Sequence, residues 1–116
     1  MKNPSEWEQD FQIEIQSAQA ARERGNEGMA RVCARRAAGI VAAQFFLQQG
    51  ISQPAGSALE RLKRLRELPD LPPQVLNLIE HFLMRITPEH RLPIEVDLVA
   101  EAGWLRKALI GGSDLE

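Results

Sequence analysis

The chain has one cysteine, Cys33, and two histidines, His81 and His90. A single cysteine excludes an intramolecular disulfide, and one thiol with two imidazoles does not complete a closed tetrahedral zinc set. No metal is therefore expected. Cys33 sits among alanines, away from a helix start, which predicts a buried, inert thiol rather than a nucleophile. Long apolar runs are also missing. Residues 37–43 and 45–47 are separated by Gln44, far short of the roughly 20 residues of a membrane span, so no membrane association is expected. The opening residues, MKNPSEWEQDF, lack the apolar stretch and cleavage site of a secretory signal, which points to a cytoplasmic protein. No stretch alternates as a strand does, and no glycine-rich phosphate loop follows one. No cofactor is implied.

What the chain does have is helix. Its 116 residues, 44% apolar and 26% charged, fit one globular domain over 1–116 with a core over about 4–110. The organising stretch is 26–50, NEGMARVCARRAAGIVAAQFFLQQG. Asn26 suits an N-cap, Glu27 suits the positive end of a helix, and Gly50 suits its left-handed C-terminal residue. Ala30, Cys33, Ala34, Ala37, Val41 and Phe45 form one stripe. Met29, Val32, Ile40, Ala43 and Leu47 widen it beyond the arc of a surface helix, so neighbours are expected on more than one side.

The first helix is expected to start at a cap formed by Asn3, Pro4, Ser5 and Glu6 and to end at Gly25. It buries Trp7, Phe11, Ile15, Ala18 and Ala21 or Arg22, and its short link to the central helix predicts an antiparallel hairpin. Ser57 and Glu60 form a capping box for a short helix with Leu59, Leu62, Leu65 and Leu68 inward. Pro73 opens a fourth helix carrying Val75, Leu76, Leu78, Ile79, Phe82, Leu83 and Ile86. After a connection bracketed by Pro88 and Pro93, Asp97 or Glu95 begins the last helix. Leu98, Ala102, Leu105 and Leu109 form its seam, and Gly111 with Gly112 ends it. The fold class is all-α, an up-and-down bundle of four to five helices.

Charge is uneven. Residues 22–66 carry nine basic against three acidic residues, and the remainder five against thirteen. One reading is a basic face for a phosphate-bearing or acidic partner, built from Arg31, Arg35 and Arg36 with Arg61 and Arg64. The other is mutual neutralisation of basic and acidic helices across the bundle, which a net charge of −2 favours. No aromatic is interleaved with the basic run 61–66 to stack a base. One of Arg35 and Arg36 is expected near the core, paired with Asp97 or Glu101, unless its head reaches water past a buried stem. His81 has no acid at i+4 and is expected to be a partly exposed structural residue. Trp104 lies off the main seam of the last helix, either as an interface anchor or as a cap on the core.

The order of elements is informative beyond any single motif. A hairpin of two long helices, the second opening G-N-E-G and rich in alanine, is followed by a short helix, a helix after a proline loop, and a final helix after P-I-E-V-D. This resembles the HEPN superfamily, and the resemblance covers about 6–109. It implies a homodimer through faces of the second or last helix. It also implies either a non-catalytic module, partnering a nucleotidyltransferase-type protein or binding nucleotide or RNA, or a metal-independent RNA endonuclease. Catalytic members carry Arg and His four to six residues apart at the start of their last long helix. Here Arg85-Ile-Thr-Pro-Glu-His90 has that spacing, with His for proton transfer and Arg for phosphorane charge. Ile86 replaces the polar residue expected after the Arg, and Pro88 interrupts the pair. The expectation is accordingly a non-catalytic binding module, with the endonuclease and a plain protein-assembly domain as alternatives.

Overall fold

The structure is a computed structural model that describes residues 6–52, 56–84 and 96–111. Five α-helices and no strand occur among these residues: α1 (Glu6–Glu23), α2 (Glu27–Gln49), α3 (Ala58–Arg66), α4 (Pro73–Leu83) and α5 (Leu98–Ile110). The all-α helical bundle expected from the sequence is what forms. Residues 3–5 of the first cap, Ile86 and the prolines at 88 and 93 lie outside the described residues.

Local signals place each boundary. The Asn26 side chain accepts a hydrogen bond from the N–H of Met29, Ser57 from that of Glu60, and Asp97 from those of Val99 and Ala100. Each satisfies amides that a helix start leaves without a partner. The end of α2 is a Schellman turn: Gly50 N–H donates to Leu47 O and Ile51 N–H to Phe46 O, with Gly50 at φ 68°, where glycine meets no Cβ penalty. Ile51 then folds back against the core. The same pair of bonds closes α1, from Gly25 to Arg22 O and from Asn26 to Ala21 O. With so few residues between them, α1 and α2 run antiparallel.

The α2 helix is the hub on which α1, α3 and α5 rest, while α4 closes the bundle against α3 and α5. Its packed faces are mostly alanine: Ala30, Ala34, Ala37, Ala38 and Ala42 are fully buried, as are Ala18 and Ala21 of α1. Small side chains let helix backbones come close. One such approach is at Gly39, where an added Cβ would lie 2.5 Å from Ala58 Cβ and 2.8 Å from Ala58 Cα. Bulk is supplied by Phe46, Phe82, Leu62, Leu65, Ile79, Leu98 and Leu105.

Several inward assignments shift. Phe46, not Phe45, is the fully buried ring of α2; Phe45 is half-buried. Met29, Val32 and Leu47 are 40%, 37% and 64% exposed, so the widened side of α2 is not covered at those positions. Leu59 is 40% exposed because it lies on the second residue of α3, off the side that holds Leu62 and Leu65 against the core. Cys33 is buried as expected. No helix among the described residues is long and apolar enough to cross a membrane.

Candidate functional site

Two grooves are lined by the described residues. The first runs between α1 and α5, which both rest on α2 but barely touch each other. It has a volume of about 580 Å³ and is lined by Phe11, Gln12, Ile15 and Gln19 of α1 and by Val99, Ala100, Gly103, Trp104 and Lys107 of α5, among others. An ion pair straps each end. Near the start of α1, Arg106 Nη2 donates to Glu8 Oε2 at 2.8 Å, and its guanidinium lies over the rings of Trp7 and Phe11, 5.2 and 5.3 Å from their centroids. That stacking adds cation–π attraction to the charge pair. At the other end Arg22 donates from Nη1 to Asp97 Oδ1 at 3.1 Å and from Nη2 to Glu27 Oε2 at 2.7 Å, joining the end of α1 to the starts of α2 and α5.

The electrostatics follow from this geometry. The hydrogen bond with Glu27 is the main cause that raises the Arg22 pKa above its usual value, against a smaller loss by burial. The same bond holds the Glu27 carboxyl below the ordinary carboxylate range. For Asp97, burial works against ionisation, but hydrogen bonds from Ala100 N–H and Arg22 outweigh it and lower its pKa.

Between the straps the groove is open. Trp104 is 57% exposed, which makes it an edge residue of this groove and not a cap on the core. Beside it Gly103 lies mid-helix, and a Cβ added there would meet nothing within 4 Å. Glycine in a helix interior costs about 1 kcal/mol relative to alanine, and no close approach requires it here. Its effect is to keep the groove floor low.

The second groove, about 700 Å³, lies where α2, the start of α3 and the end of α4 meet; Val32, Arg35, Arg36, Ser57, Leu59 and Met84 are among its lining residues. Of the five arginines proposed to bind phosphate, Arg35 and Arg36 come together in it. Arg35 has a different partner from the one expected. Its Nε donates to Phe82 O at 2.8 Å and its Nη2 to Met84 O at 3.3 Å, so it caps the carbonyl end of α4 and pairs with no carboxylate among the described residues. Burial, then the nearby Arg31 charge, lowers its pKa below the usual guanidinium value. Arg36 is exposed.

The other three lie outside this groove. Arg31 is half-buried on α2, with its charge acting on Glu27 and Arg35. Arg64 is 3.9 Å from Glu67, and Arg61 buries an Nε that has no hydrogen-bond partner among the described residues. The neighbouring Arg66 reaches Glu80 of α4 at 3.4 Å. Part of the basic run is thus neutralised across the bundle. Arg85 and His90, the candidate catalytic pair, lie outside the described residues.

Of the pairings that sequence reasoning missed, one includes a buried acid. His81 Nδ1 lies 2.6 Å from Glu101 Oε1, and Glu101 is the one buried charged residue of the described chain, 5% exposed. The search for an acid along α4 could not find it, because the acid comes from α5. Glu101 is therefore committed to His81 and Asp97 to Arg22, so neither meets Arg35. No group of three or more metal-ligating side chains occurs among the described residues. Comparison of the chain with protein-family models, with curated proteins and with solved structures finds no match.

Proposed function

We propose that the protein is a non-catalytic helical binding module, HEPN-like in its order of elements, that works as a homodimer and takes a partner protein in the α1–α5 groove. The observation that carries this reading is the conjunction of exposed Trp104 with Gly103, in a groove held open by an ion pair at each end. The occupant that fits is an amphipathic helix, laid along an apolar floor with an aromatic anchor at its edge. The HEPN resemblance suggests a nucleotidyltransferase-type protein as its source. Nucleotide or RNA binding is less well supported, because Arg35 is occupied by α4 carbonyls and Arg64 is near Glu67. Arg36 is the exposed cation on which that reading rests.

The test has two arms. Affinity capture with wild type and Trp104→Ala run in parallel should retain the same partner with wild type alone. Incubation with a structured RNA, at low salt in EDTA, should give neither cleavage nor a salt-sensitive complex. Cleavage by wild type but not by His90→Ala would replace this reading with the endonuclease. A complex weakened by Arg36→Ala and by added salt would replace it with RNA binding.

A further inference from the structure

The groove where α2, the start of α3 and the end of α4 meet has no part in the partner-binding reading, and its chemistry is different from that of the α1–α5 groove. Its volume of about 700 Å³ lies within the roughly 300–1,000 Å³ of small-molecule sites, which are mostly apolar with a few convergent polar groups. The apolar walls are Val32 and Leu59, both exposed, with half-buried Leu83 and Met84 opposite. The polar groups are Arg35, Arg36 and Ser57. Two cations thus line the groove, and none of the lining residues is acidic.

That charge is not cancelled locally. Arg35 gives Nε and Nη2 to the carbonyls of Phe82 and Met84, which accept hydrogen bonds but carry no net charge. Burial and then the like charge of Arg31, one turn back on α2, lower its pKa. Arg36 is exposed and enters no ion pair with a described residue. The Ser57 oxygen accepts from Glu60 N–H, which leaves its hydroxyl proton to donate.

Apolar walls beside uncompensated positive charge fit an anion with an apolar body, and two features narrow the class. Phe82 is the one aromatic among the lining residues and is fully buried, so the groove offers no ring face on which a base could stack. Arg36 presents a single exposed guanidinium fork, the match for one carboxylate. The geometry points to a binding site for an unbranched alkyl carboxylate, with its head on Arg36, Ser57 as a second donor, and its chain along Val32, Leu59, Leu83 and Met84. The flexible thioether of Met84 can follow such a chain. This site is independent of the α1–α5 groove, and either can fail without the other.

Isothermal titration calorimetry of the full chain with decanoate tests it. One saturable site is expected, with a dissociation constant on the order of 100 µM, because an open groove covers the chain on one side only. From hexanoate through octanoate to decanoate, binding should tighten about two- to four-fold per methylene. Arg36→Gln, at an exposed position, should weaken decanoate binding about ten-fold with an unchanged far-UV circular dichroism spectrum. Decanamide should bind wild type as weakly as decanoate binds that variant, and Leu59→Gln should flatten the dependence on chain length. Methyl NMR shifts should centre on Val32, Leu59, Leu83 and Met84. Absence of saturable binding would overturn the site. So would equal decanoate affinity of wild type and Arg36→Gln, or shifts centred on Ile15 and Val99, which would move the ligand to the α1–α5 groove. Adenosine monophosphate binding more tightly than decanoate would overturn the alkyl class.

Discussion

Two mid-helix glycines give opposite forecasts for one substitution, and Gly39→Ala is the sharper. Helix propensity alone predicts that replacing an interior glycine with alanine stabilises by about 1 kcal/mol. At Gly39 the new methyl would lie 2.5 Å from Ala58 Cβ and 2.8 Å from Ala58 Cα, whereas carbon atoms rest at about 3.5–4.0 Å. The start of α3 must therefore retreat by about 1 Å. It is held by Leu62 and Leu65, both fully buried, so the retreat loosens their packing. Overpacking of this kind costs about 1–3 kcal/mol. Because the obstacle includes backbone, the upper part of that range applies, and after the propensity gain a net loss of about 1–2 kcal/mol is expected. Urea unfolding followed by circular dichroism should show a midpoint lower by about 1 M at unchanged slope, for a slope of about 1–1.5 kcal/mol/M. Ala58→Gly in the Gly39→Ala background should recover part of the loss, and not all, because the clash with the α3 backbone remains. A Gly39→Ala protein as stable as wild type, or more so, would refute the close approach of α2 and α3.

At Gly103 nothing opposes the added methyl, so Gly103→Ala should raise stability by about 0.5–1 kcal/mol in the same assay while weakening capture of the partner in the α1–α5 groove. Replacing His81 with Leu leaves the buried Glu101 side chain without the partner seen at 2.6 Å, a loss of about 1–3 kcal/mol for a buried polar group deprived of its hydrogen bond. Adding Glu101→Leu should restore much of it in a double-mutant cycle. Arg35→Lys should cost nearly as much as Arg35→Ala, about 1.5–3 kcal/mol, because a single ammonium does not reproduce the fork that holds Phe82 O and Met84 O together. The Glu27 and Asp97 pKa values are lowered in the fold from ordinary values of 4.5 and 3.8. Their contribution to stability is therefore complete above those values and is lost as pH falls below them, through the lower folded values. Thermal unfolding as a function of pH should show that acid-side loss in wild type and a smaller one in Arg22→Ala.

Much of the fold was legible because its signals are local. The caps Asn26, Ser57 and Asp97, the closing Gly50 and the opening Pro73 each act on a helix end within a few residues, so spacing along the chain reveals them. The inward stripes were legible less sharply. Phe45 and Phe46 are neighbours separated by about 100° around the helix, and sequence does not say where the surrounding helices sit. Leu59 fits the leucine repeat of α3, yet Ala58 takes the place against α2 at the start of that helix and turns Leu59 aside. The candidate site was legible only in fragments. Trp104 stood out by its position off the main seam, but the groove beside it is a gap between two elements separated by most of the chain.

By itself, then, the sequence determined the helices to within four or five, most of their ends, the tight α1–α2 hairpin and the alanine-rich hub. These depend on hydrogen bonds and periodicities that close within a turn or two. The tertiary structure decided which charges meet. His81 pairs with Glu101, Arg22 joins Asp97, and Arg35 finds the carbonyl end of α4. It also decided that α1 and α5 stay apart and that one face of α2 remains in solvent. Such choices depend on the relative placement of helices distant in sequence, and that placement follows from how alanine, glycine and leucine surfaces fit together, which no local pattern encodes.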